Sequence, residues 1–158
     1  IPSIQIPRCL IPNIKGTHQL HTFTDASMTA IAAIVYVRTV NADGSFTSRY
    51  VISKTKVAPI RQLSIPKLEL EAATLGAELA GFCESEMTTI ITSKHFWTDS
   101  TATLGWIQSK QRQKMYIANR LAKIHENSSP DDWRHNPGKL NPADHGTRGL
   151  NPSDIPKL

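Results

Sequence analysis

Apolar and polar residues alternate from Leu20 to Asp25 (LHTFTD), the period of a half-buried strand, and the run ends on an acid. Ala26 to Thr29 turns. Ala30 to Val40 (AIAAIVYVRTV) is rich in β-branched residues and predicts a second strand. Asn41 to Ser45 is a hairpin turn in which Gly44 is free to take positive φ, and Phe46 to Ser53 returns as a third strand. Lys54 to Ile65 (KTKVAPIRQLSI) reads as a basic, proline-containing loop. The period then becomes helical. Leu68, Ala72, Leu75 and Leu79 share one face of a helix over Pro66 to Cys83, capped by Ser64 or Ile65. Pro66 falls in the first turn, where its missing N–H costs nothing.

Glu84 to Ser93 is ambiguous. Lys94 to Thr98 predicts a fourth strand that Asp99 ends, and a short helix follows from Thr101 to Ser109. Met115 to Glu126 is a second amphipathic helix, with Ile117, Leu121 and Ile124 on one face. Asp132 to His135 is a short fifth strand. Asn141 as N-cap and Pro142 at the first helical position start a last helix through Asp144. Three antiparallel strands followed by helix-linked strands make an α/β fold, one mixed five-stranded sheet with helices on both faces.

Composition narrows the class. At 39% hydrophobic and 20% charged residues, the chain matches an ordinary globular domain. Residues 1–17, with three prolines, read as a linker from a preceding region, 18–150 as the domain, and 151–158 as a tail. The start on Ile1 without a methionine fits excision from a longer chain. No secretory signal is visible, and no apolar run approaches the roughly 20 residues that cross a membrane; the expected location is the cytoplasm. Cys9 and Cys83 lack metal-ligand spacing and read as reduced thiols. A net charge of +5 suits a polyanionic partner.

The chemistry lies in the acids. Asp25 and Asp99 end two strands; if those strands run parallel, both carboxylates emerge at one edge of the sheet. Glu69 stands one turn into the long helix, and Asp144 in the first turn of the last. Taken singly, each has an ordinary reading as a turn former, surface residue or cap. Together, four acids at one edge repel one another without a cation, and hard divalent ions, Mg²⁺ or Mn²⁺, are their natural partner.

The segments around these acids resemble a known family. Phe23-Thr24-Asp25-Ala26-Ser27, Glu69-Leu70-Glu71-Ala72, Trp97-Thr98-Asp99-Ser100 and Asn141-Pro142-Ala143-Asp144 resemble the acidic motifs of type 1 ribonuclease H. Leu20-His21, Lys54 to Ile60, Ile65 to Leu70, Ala118-Asn119-Arg120 and Asn141 to Gly149 are similar, more narrowly, to the ribonuclease H region of Bel/Pao-type retrotransposon polyproteins. Thr147 departs mildly from the Ser frequent in the last motif.

The resemblance implies a ribonuclease H-like fold and hydrolysis of the RNA strand of an RNA–DNA hybrid. It implies two Mg²⁺ ions, with Mn²⁺ able to substitute, held by Asp25, Glu69, Asp99 and Asp144. Partners would be the hybrid and the reverse transcriptase domain of the same polyprotein, inside a retroelement particle. Ala26, Ser27, Ser100, Lys54, Lys56, Asn119 and Arg120 are the expected substrate contacts. His135 is the candidate catalytic helper, against a plain strand or surface histidine. Lys110, Arg112 and Lys114 form a further basic cluster, open to the reading of solvated surface charge.

Three rival readings are weaker. A non-catalytic module on the same fold would be expected to have lost an acid, and all four are present. An aspartic protease loop needs Gly two residues after its Asp so that the backbone turns tightly; Ser27 and Thr101 occupy those places. An integrase-type site draws its essential Glu from a late helix, whereas Glu69 stands in the first.

Overall fold

The computed structural model describes residues 7–149. Five strands, β1 (Thr17–Ala26), β2 (Ala30–Val40), β3 (Phe46–Val57), β4 (Ser93–Thr98) and β5 (Trp133–His135), lie in one sheet ordered β3-β2-β1-β4-β5. β1, β2 and β3 pair antiparallel; β4 pairs parallel with β1 and with β5. The hairpin between β2 and β3 turns at Gly44, whose φ of 83° is open to a residue without Cβ.

Four helices complete the fold: α1 (Ile65–Glu86), α2 (Thr101–Gln108), α3 (Met115–Asn127) and α4 (Asp144–Arg148). Strand alternation turns Leu20, Thr22 and Thr24 toward α1. A Cβ on Gly76 of α1 would stand 2.4 Å from Thr24 Cγ2, so glycine sets how closely helix and strand approach. α1 buries two stripes. Leu68, Leu75 and Leu79 pack with Leu20, Ile31, Val35 and Val37. Leu70, Ala73, Ala77 and Ala80 pack with Phe96, Ile107, Ile117, Leu121 and Trp133, the last stacked on Phe96 at 4.7 Å. α4 lies across the opposite face, where Gly146 approaches Ala32 of β2. The predicted mixed sheet, with helices on both faces, is thus observed.

Three expectations change. Lys54 to Val57 is not loop: β3 continues through it, pairing Lys54 with Ala33 and Lys56 with Ile31. The long β2 needs a partner along its length, and exposed lysines are tolerated on an edge strand. The last helix starts at Asp144 rather than just after Asn141: Asn141 accepts from the Ala143 N–H at 3.1 Å as a cap would, and its Nδ2 also donates to the Thr24 carbonyl at 2.8 Å, but the chain is a turn until Asp144. Residues 7–16 form no regular element, yet Leu10 and Ile11 pack on the core and Asn13 bonds Asn41. Residues 1–6 of the expected linker and the expected tail, 151–158, lie outside the described residues. Cys9 and Cys83 are free thiols. Among the described residues, no helix is long and apolar enough to cross a membrane.

Candidate active site

The parallel register pairs Thr24 of β1 with Thr98 of β4. Asp25 and Asp99 are the next residues of each, so both leave the same edge from adjacent strands. The Thr24 hydroxyl donates to the Trp97 carbonyl at 3.2 Å and fastens the two strand ends. Asp25 is 7% exposed. Burial pushes its carboxyl above the usual range; the Thr147 hydroxyl it accepts from opposes this, and the charges of Asp99 and Asp144 add to it.

Glu69, near the start of α1, follows the same logic. Burial raises its carboxyl, the hydrogen bond it accepts from Ser100 opposes, and Asp99 and Asp25 push it further up. Asp25 thus feels Asp99 and Asp144, and Glu69 feels Asp99 and Asp25, which links the four acids through Asp25 and Asp99. Asp99 lies against the loop before α4; a Cβ on Gly138 would stand 3.0 Å from its Oδ2. Asp144 opens α4 and pairs with Arg148 Nε at 2.7 Å.

Several side chains contribute through contacts that sequence patterns do not assign. Buried Thr147 bonds Asp25. Asn141 joins the loop carrying Asp144 to the end of β1. Ser100 was expected at the substrate; it is buried, caps α2 by accepting from Thr103 N–H at 3.1 Å, and donates to Glu69. The Ser27 hydroxyl donates to the Thr147 carbonyl at 3.2 Å, and Ala26 ends β1 beside it. His135 ends β5, paired with Thr98 and exposed at the same edge as Asp99.

The expected phosphate contacts lie on the α1 side of the sheet, in two places. Lys54 lines a cavity with Leu75, Glu78 and Phe82. Lys56 and the pair Asn119–Arg120 line neighbouring cavities that share Glu71 and Thr74. Arg120 is held by Glu71 at 2.8 Å and stacks over Tyr116 at 4.0 Å. Burial and the Glu71 carboxylate push the Tyr116 hydroxyl up to about 12, so it stays protonated and donates to Glu71.

The donor set is four carboxylates, which suits a hard divalent ion and not zinc. Charge supports the fit, because a cation at this edge would relieve the repulsion that raises Asp25 and Glu69. As the side chains stand, no three such groups among the described residues gather closely enough to hold one ion. Asp25, Glu69 and Asp144 are instead tied to Thr147, Ser100 and Arg148.

A family model described as the Pao retrotransposon-like RNaseH-like domain matches residues 2–100, more than half of the chain and three of the four acids. The chain belongs to this family. Solved structures agree on the fold. RNase H1 from the halophilic archaeon Halobacterium salinarum is similar at 14% identity and a TM-score of 0.50, over 90% of this chain and 100% of that one. LC11-RNase H1, in complex with an RNA/DNA hybrid, is similar at 14% identity and a TM-score of 0.54, over 88% and 99%. An N-terminal RNase H domain from Mycobacterium tuberculosis, solved as a fusion with maltose binding protein, is similar at 11% identity and 0.52, over 90% and 99%. The sheet is thus that of an RNase H-like fold. No curated protein sequence matches the chain.

Proposed function

We propose that this member of the Pao family is a metal-dependent endonuclease that hydrolyses the RNA strand of RNA–DNA hybrids during reverse transcription of its retrotransposon. The observation that carries the reading is the register of β1 and β4, which brings Asp25 and Asp99 out side by side, with Glu69 feeling both charges and Asp144 acting on Asp25. Family membership and the hybrid bound by LC11-RNase H1 favour the substrate.

Asp25, Glu69, Asp99 and Asp144 are the residues that would hold the ions, Asp25 as the shared ligand, with Asp99 and Glu69 on one side and Asp144 on the other. Two Mg²⁺ ions, or Mn²⁺ in their place, would activate a water and offset the charge that develops on the phosphate. The protein holds the carboxylates: Ser100 orients Glu69 and Thr147 orients Asp25. His135, exposed beside this edge, is the candidate catalytic helper. Ala26 and Ser27 border the path of the RNA strand, where the 2′-hydroxyl distinguishes RNA from DNA. Lys54, Lys56, Asn119 and Arg120 offer donors to phosphates of the hybrid. The polymerase domain of the same polyprotein is the partner that delivers the hybrid, within a cytoplasmic retroelement particle.

A second reading, a hybrid-binding module without catalysis, draws on the engagement of three of the acids by protein partners. One assay separates the two. A labelled RNA–DNA hybrid is incubated with the wild type and with Asp99→Asn, with and without Mg²⁺. Cleavage is expected from the wild type with metal, and a loss on the order of a thousandfold in the variant. A wild type that binds the hybrid and never cuts it supports the module; equal cutting by Asp99→Asn removes the site.

A further inference from the structure

Asp25 and Asp144 come from opposite ends of the domain, and one side chain reaches both residues. The Thr147 hydroxyl donates to Asp25 Oδ2 and stands 3.0 Å from the Asp144 carbonyl oxygen. A hydroxyl has one proton, and an ionised carboxylate can only accept, so that proton points at Asp25. Thr147 is buried, and its backbone is anchored by the Ser27 hydroxyl at 3.2 Å. Asn141 fixes the entry to α4, bonding the Thr24 carbonyl at 2.8 Å and accepting from the Ala143 N–H at 3.1 Å. Gly146 lets α4 settle on the sheet, since a Cβ there would stand 2.9 Å from Ala32, the residue paired with Asp25 in β2.

We infer that Thr147 is a positioning residue: standing in α4, it donates its one hydroxyl proton to the Asp25 carboxylate, ties that carboxylate to the helix that carries Asp144, and so sets the spacing of Asp25 and Asp144 toward a shared hard cation. The inference rests on the proposed function to the extent that it assigns both acids to a cation. A threonine needed for packing alone would be replaced by isosteric valine with little change in stability and none in affinity for the ion. A positioning hydroxyl governs affinity for the ion as well, because groups that orient metal ligands are commonly worth 10–100-fold in binding, on the order of the ligands' own partners in other sites.

The test is a Mg²⁺ titration of the 158-residue chain without nucleic acid, read by amide chemical shifts of residues flanking Asp25 and Asp144, with thermal midpoints recorded alongside. Thr147→Val is expected to bind Mg²⁺ about tenfold more weakly, and Thr147→Ser within about threefold of wild type. Should Thr147→Val fail to fold, Thr147→Cys takes its place, since a thiol is a weak donor, and the same loss is expected. Wild-type affinity in the folded valine or cysteine variant overturns the inference. So does a serine variant as weak as valine, or a wild type whose Mg²⁺-dependent shifts miss either acid. If the wild type binds Mg²⁺ and Thr147→Val binds it weakly, but neither cleaves a hybrid, the nuclease reading fails and the positioning role stands.

Discussion

Ser100 shows how much one hydroxyl can carry. It accepts from the Thr103 N–H as the N-cap of α2 and donates to Glu69. Ser100→Ala loses the cap and leaves a half-buried carboxylate with one partner fewer, together worth about 1–3 kcal/mol. Urea unfolding should show that loss, and Ser100→Thr should recover most of it. His21 is a second case at this scale. It faces the side of the sheet opposite α1, with Nδ1 accepting from Trp97 Nε1–H at 3.3 Å. Burial, then the charges of His95, Arg38 and Arg134, hold its pKa at about 4 instead of 6.5. The folded value is the lower one, so its contribution is complete above pH 6.5 and is lost as pH falls toward 4. Asp25 and Glu69, raised by folding, act in the opposite sense, since acid relieves their burial. His21→Gln keeps an acceptor for Trp97 without the titration. Its unfolding midpoint should therefore fall less steeply across this range than that of wild type. The acids were legible in the sequence because each ends or opens an element. Their hydroxyl partners were not: Ser100 is 31 residues from Glu69 and Thr147 is 122 from Asp25, distances over which no local pattern reports a contact.

The elements were more legible than their extents. β2 and the hairpin turn follow from β-branched residues and a glycine, and α1 from its leucine stripe. The second buried stripe, Leu70, Ala73, Ala77 and Ala80, is not legible because alanine, the best helix former, is placed by propensity as readily as by burial. β3 was shortened because Lys54 and Lys56 read as loop, although an edge strand keeps such residues in water. The crossing of α1 over β1 gives a prediction for the element itself. Alanine normally favours a helix interior over glycine by roughly 0.5–1 kcal/mol. At Gly76 the new methyl would meet Thr24 Cγ2 at 2.4 Å and Thr22 Cγ2 at 3.2 Å. Gly76→Ala should therefore destabilise, by about 1–3 kcal/mol, reversing the helix-propensity sign. Because α1 carries Glu69, the displacement would also reach the site. Gly105, with nothing within 4 Å of an added Cβ, is the control, and Gly105→Ala should be neutral or stabilising. Chemical denaturation of the two variants measures both signs.

At the scale of the molecule, the fold gathers four acids from β1, α1, the end of β4 and α4 and gives them few cations in return. Arg148 pairs with Asp144, while Asp25 and Glu69 rely on hydroxyls. Such an edge opposes the compact state, and what relieves it should stabilise the whole chain. A cation that binds the folded chain alone contributes about 2.7 kcal/mol at a hundred times its dissociation constant. For a domain of this size that is on the order of 5–10 °C in thermal midpoint. Removing one charge should act in the same direction without metal: Asp99→Asn relieves both Asp25 and Glu69, which feel Asp99 directly. The variant is therefore expected to melt higher than wild type in chelator and to lose most of the Mg²⁺-dependent rise. Thermal scans of both proteins, with and without Mg²⁺, test this. A wild type whose midpoint ignores Mg²⁺ would mean that the hydroxyls and Arg148 already satisfy the edge. A variant that melts lower in chelator would mean that Asp99 supports the fold instead of straining it. A midpoint raised by the mutation and by the ion, but not additively, would show stability given up at the place where the chemistry is proposed to occur.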